Sequence, residues 1–118
     1  MLRIQMDHYD LLLNIDPCSI FDYYNVDEMH GLNKKDCMLH LNNNKESYIA
    51  GWCNLIPGSD RYFIFINLSR CNTDVETFGH LMHELMHRSF DLHEDEETII
   101  TWAEMEAHRV YELIKYLI

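Results

Sequence analysis

The chain has 118 residues, of which 47% are hydrophobic, and a formal net charge of −11 at pH 7. That length predicts one small domain spanning residues 1–118, with room for a single apolar core but not for two. So acidic a chain has little with which to bind phosphates, a task for Lys and Arg, and this argues against a nucleic-acid partner.

The longest apolar runs, such as Tyr62 to Ile66, fall far short of the ~20 residues that span a bilayer, so no membrane partner is expected. Met1 to Asp7 has neither the basic start nor the long apolar stretch of a secretory signal. Cys18, Cys37, Cys53 and Cys71 are scattered without a C-x-x-C pair. In a chain with no signal segment they read as reduced thiols rather than disulfides, and the expected location is cytoplasmic.

In chain order, Tyr9 to Ile15 reads as a strand ended by Pro17, and Ser19 to Tyr24 as a short helical turn. Met38 to Leu41 runs into the turn-rich cluster Asn42-Asn43-Asn44-Lys45. Tyr48 to Ile56 reads as a strand closed by the turn Pro57-Gly58-Ser59-Asp60. Tyr62 to Leu68 is aromatic and β-branched almost throughout, the pattern of a strand covered on both faces. Short turns between these strands predict an antiparallel meander.

Two helices are predicted to follow. Thr73-Asp74-Val75-Glu76 matches a capping box, with Thr73 as N-cap. Val75, Phe78, Met82 and Leu85 form an apolar stripe at helical spacing. The second helix is expected to start at Asp95 and run towards Ile118 on a stripe of Ile100, Ala103, Ala107, Val110, Ile114 and Leu117. Strands followed by two helices make an α+β arrangement.

Within the first helix, His83-Glu84-Leu85-Met86-His87 spells H-E-x-x-H. Residues four apart on a helix share a face about one turn apart, so two imidazoles placed this way can grip one zinc ion. Glu84 then stands beside the metal as a general base for a metal-activated water attacking a carbonyl. A catalytic zinc needs a third protein ligand. His93 gives the spacing of the metzincins, but Phe90 stands where that family turns on Gly, and no clear Met-turn follows. Glu94, Glu96 and Glu97 are the other candidates. Extending the second stripe back four residues from Ile100 lands on Glu96, whereas Glu97 lies about 100° round the helix. His80, His108, Tyr111, Trp52 and Trp102 read as surface or packing residues.

With Glu96-Glu97-Thr98-Ile99-Ile100-Thr101-Trp102-Ala103 downstream, the segment from about Phe65 to Leu117 resembles the small ImmA/IrrE-type metallopeptidases and their phage-encoded relatives. The resemblance implies a zincin-like fold, His83, His87 and Glu96 on Zn2+, and Glu84 as general base. It departs from the family at Ile100, where an Asn is frequent. The expected function is zinc-dependent hydrolysis of peptide bonds, with a peptide or protein as substrate. The competing class is a non-catalytic zinc-binding or interaction module of phage or mobile-element origin.

Overall fold

In a computed structural model of the chain, residues 2–13, 17–29, 31–37, 51–68 and 71–117 are described. The expected strand at Met38–Leu41, the Asn-rich turn after it and the first residues of the strand from Tyr48 lie outside them. The chain packs as two compact units, residues 1–67 and 68–118.

The first unit is built on a four-stranded sheet. Its strands are β1 (Leu2–Gln5), β2 (Tyr9–Leu13), β5 (Gly51–Leu55) and β6 (Tyr62–Ile66), in the order β1-β2-β6-β5. A short helix α1 (Ser19–Tyr23) and a small hairpin of β3 (Glu28–Met29) and β4 (Leu32–Asn33) lie between β2 and β5 in sequence. Gly31, at φ +81°, supplies the left-handed backbone that so short a hairpin loop needs.

The predicted β5–β6 hairpin is present and antiparallel, with Trp52 opposite Phe65 and Asn54 opposite Phe63. Its loop is the predicted Pro57–Asp60 turn, with Gly58 at φ +76° and the Ile56 N–H donating to the Arg61 carbonyl at 2.8 Å. The meander expectation fails on the other side of β6. There its neighbour is β2, running parallel, with Leu11 opposite Ile64 and Leu12 opposite Phe65. The sheet is therefore mixed, completed by β1 antiparallel to β2. Strands distant in sequence can pair in either direction, and turn chemistry reports only on neighbours joined by a turn.

The full burial expected of β6 is found: Phe63, Ile64, Phe65 and Ile66 are all inaccessible to solvent. β2 is buried along its whole length. Leu12, Phe63 and Phe65 form one core with Cys18, Ile20, Phe21, Met29 and Cys37, and Trp52 packs on it against Phe21 and Phe63.

The second unit is a helical hairpin of α2 (Asp74–Leu92) and α3 (Glu96–Leu117). Thr73 caps α2 as predicted, its Oγ1 accepting the Glu76 N–H at 3.1 Å while the Glu76 carboxylate accepts the Asn72 N–H at 3.0 Å. Asp95 caps α3 by accepting the Thr98 N–H at 3.0 Å. On α2 the buried face is rotated from the predicted stripe, whereas on α3 the middle of the stripe is as predicted and only its ends differ. On α2, Val75 is 82% exposed and the buried face runs through Thr77, Leu81, Glu84, Leu85 and Arg88. On α3, Ile99 replaces Ile100 ahead of Ala103, Ala107, Val110 and Ile114, and Leu117 is exposed. Counting apolar residues misplaces a face when polar residues such as Thr77 and Ser89 are buried with bonds of their own, to the Thr73 carbonyl and the Ile99 carbonyl. No helix among the described residues is long and apolar enough to cross a membrane.

Gly79 lies inside α2, and a methyl group built there would meet nothing within 4 Å. Gly in a helix interior costs about 0.5–1 kcal/mol relative to Ala. Gly79→Ala should therefore raise the melting temperature by roughly 2–6 °C, read by thermal circular dichroism. A lower melting temperature would mean that the position needs glycine for another reason.

Candidate metal centre

The H-E-x-x-H segment sits just past the middle of α2, in regular helix as its spacing requires. His83 and His87 are exposed and turned towards each other, with ring centroids 4.9 Å apart and Nε2 atoms 3.3 Å apart. Two nitrogens bound tetrahedrally to one zinc at ~2.0–2.1 Å would be ~3.3 Å apart. The pair therefore fits two corners of a zinc site. Glu84 projects about 100° further round the helix, onto the buried side. Its Oε1 still lies 3.8 Å from the His83 Nε2. The motif straddles the edge of the buried face, with imidazoles on the open side and a carboxyl on the closed one.

That placement changes the carboxyl's chemistry. The Glu84 side chain is only 8% exposed, and burial pushes its pKa up from 4.5 to about 7. A group tuned near neutrality is suited to accept and return a proton.

The candidates for a third ligand lie where the hairpin turns. His93 is the C-cap of α2, extended at φ −131° and ψ 150°, its N–H donating to the Ser89 carbonyl at 2.9 Å. Helix α2 continues through Phe90, so the turn that metzincin spacing needs does not occur there. The His93 ring lies 5.8 Å from Trp102, and its Nε2 is buried with no hydrogen-bond partner among the described residues. Glu94, Glu96 and Glu97 are exposed, Glu96 as the first residue of α3. Among the described residues no three His, Cys, Asp or Glu side chains gather as a metal-binding group. The structure thus brings two of the expected ligands together and leaves the third apart.

Ser89 has a part that the sequence reading missed. Fully buried two residues after His87, its hydroxyl donates to the Ile99 carbonyl at 2.8 Å and ties the end of α2 to the first turn of α3. The only sequence signal was a small polar residue on an otherwise apolar face. The rings of His108 and Tyr111 lie 4.8 and 6.4 Å from that of Phe78, with His108 exposed and Tyr111 half-buried. An open hollow of about 390 Å³ on α3, lined by residues including Asp95, Glu97, Trp102 and Met105, includes no residue of the motif.

Comparison of the chain with protein-family models, with curated proteins and with solved structures returns no match.

The raised Glu84 pKa has a defined sign for the metal-free protein. Between pH 4.5 and about 7 the folded state keeps a proton that the unfolded state has lost. Stability from this group is therefore complete below 4.5 and falls as pH rises to about 7, by up to ~3 kcal/mol. Glu84→Gln, which keeps the shape without the charge, should remove this component. Urea unfolding in chelator at pH 4.5 and pH 8 checks it: the variant should gain on wild type at the higher pH, and an equal pH response in both would refute the shift.

Proposed function

We propose that the protein is a zinc-dependent peptidase of the H-E-x-x-H type, with a zincin-like arrangement in its second unit. The observation that carries this reading is the 3.3 Å separation of the His83 and His87 Nε2 atoms, with a buried carboxyl beside them. His83 and His87 would hold the metal, and Glu96 is the proposed third ligand, in line with the resemblance to the ImmA/IrrE-type metallopeptidases. When bound, zinc supplies Lewis acidity, which acidifies water and polarises a carbonyl. Glu84 takes the proton from the attacking water and passes it to the leaving amine. Its burial leaves it neither a strong acid nor permanently charged at neutral pH. The substrate class is a peptide or protein.

One observation favours a second reading. Only two ligands are gathered among the described residues, one short of the three that a catalytic zinc takes, which favours an interaction module without catalysis.

Purified protein should hold about one zinc per chain by elemental analysis, and His83→Ala or His87→Ala should abolish it. Glu84→Gln should keep the zinc and lower hydrolysis of a peptide library by ~10²–10⁴-fold. Zinc retained in both His variants would remove the centre. Zinc binding with no chelator-sensitive cleavage by the wild type would select the second reading.

The third ligand is tested separately. Glu96→Ala should weaken zinc affinity by orders of magnitude, while Glu97→Ala and His93→Ala leave it nearly unchanged, measured by competition with a chromogenic chelator. Loss of zinc in His93→Ala with retention in Glu96→Ala would transfer the role to His93.

A further inference from the structure

We propose that Cys18 and Cys37 are a modification site, joined by a reversible disulfide when the protein meets an oxidised thiol such as glutathione disulfide. The sequence offered no motif for it, since the two are 19 residues apart and the reduced state was expected for all four cysteines. In the structure the two are not joined by a disulfide, and their sulfurs lie 2.9 Å apart. Non-bonded heavy atoms rest at roughly 3.5–4.0 Å, whereas bonded sulfurs lie ~2.05 Å apart. Closing the bond therefore needs less than ~1 Å of movement.

The approach is held by the surrounding fold. Both cysteines belong to the core that contains Leu12, Phe21, Phe63 and Phe65. The segment between them is drawn together independently by the Lys34–Asp22 ion pair and by the Lys34 N–H donating to the Asp27 carbonyl at 2.8 Å. Bridging would thus close a loop whose ends already meet, and would brace α1 and the β3–β4 hairpin against the sheet.

Accessibility sets the order of events. Cys18 is 7% exposed and Cys37 fully buried. The Cys18 thiolate attacks glutathione disulfide, whose S–S bond breaks, and one glutathione leaves with the electron pair. The Cys37 thiolate then attacks the Cys18 sulfur, forming the Cys18–Cys37 bond and expelling the second glutathione. Two protein thiols are oxidised and one glutathione disulfide is reduced to two glutathiones, whose thiolates take up the two protons that the protein thiols gave up.

The experiment treats the folded full chain with glutathione disulfide, then reads free thiols, intact mass and peptide maps without reduction. The expected result is two thiols remaining of four, a mass lower by about 2 Da and one Cys18–Cys37 cross-linked peptide, all reversed by dithiothreitol. Closing a loop of this length should raise the melting temperature of the oxidised form by ~5 °C or more. Cys37→Ala should stop at the mixed disulfide on Cys18. Four thiols retained in the treated wild type, or a bridge through Cys53 or Cys71, would overturn the proposal. The wild-type measurement decides even if the variant fails to fold.

Discussion

The first unit depends on how a buried carboxylate is answered. Asp10 lies on β2 with 2% of its side chain exposed, and a charge so placed costs several kcal/mol unless it is paired. Arg61 reaches it with Nε at 2.8 Å and Arg3 with a guanidinium nitrogen at 3.2 Å. The same Arg61 guanidinium also donates to the Tyr9 carbonyl at 2.9 Å and to the Met6 carbonyl. This knot ties β1, the β1–β2 turn, β2 and the start of β6 at one end of the sheet. It also fixes register. A slip of one residue would turn Asp10 to the opposite face, away from both guanidiniums, and carry Leu12 out of the core it shares with Phe63 and Phe65. The parallel β2–β6 pair has no tight turn to set its alignment, so a charge that is tolerable in one register only performs that task.

The second unit answers its own buried carboxyl differently. No ion pair between Glu84 and a guanidinium is found among the described residues. Desolvation alone governs its proton affinity. The fold thus uses burial to opposite ends: in the sheet a carboxylate specifies alignment, and in the helix a carboxyl is kept near the ionisation point where proton transfer is useful. The four-residue spacing of His83 and His87 leaves the imidazoles on the open side while their neighbour is shut in. A pair of His on the buried face would have been closed to a substrate, and a Glu on the open face would have behaved as an ordinary solvated acid.

What the sequence made legible follows the range of the interactions. Local chemistry read through directly: the Thr73 and Asp95 caps, the Pro57–Asp60 turn, the buried β6 strand and the helical setting of the H-E-x-x-H residues. Long-range pairing did not. β1 carried no strand signal, since its alternation of half-buried and exposed residues spans only Leu2 to Gln5. The parallel partnership of Tyr9–Leu13 with β6 joins segments some fifty residues apart, over which periodicity is silent. The buried face of α3 was legible except at its ends, where Ile99 takes the place of Ile100 and Leu117 is exposed, while the face of α2 is displaced by one residue, about 100°.

The exchange of Ile100 for Ile99 at the start of α3 bears on the candidate metal centre more than on the core. Two ligands on one helix are fixed by helical geometry, whatever the rest of the chain does. A ligand on the next helix is fixed only by how that helix is rolled and where it begins. Here the roll is set by the Ser89 hydroxyl on the Ile99 carbonyl and by the Asp95 cap, three residues after the end of α2. With Ile99 rather than Ile100 turned inward, the face that Ile100 would have shared with Glu96 is turned partly to solvent, and Glu96 is exposed with it. Glu96 therefore stands outside the buried stripe, and the resemblance to a family pattern is what favours it as a ligand. A change in the first turn of α3 that turned Ile100 inward in place of Ile99 would carry Glu96 with it and would first have to release the Ser89–Ile99 bond. In the proposed centre, recruitment of Glu96 would thus be coupled to the packing of the hairpin through the buried Ser89 hydroxyl.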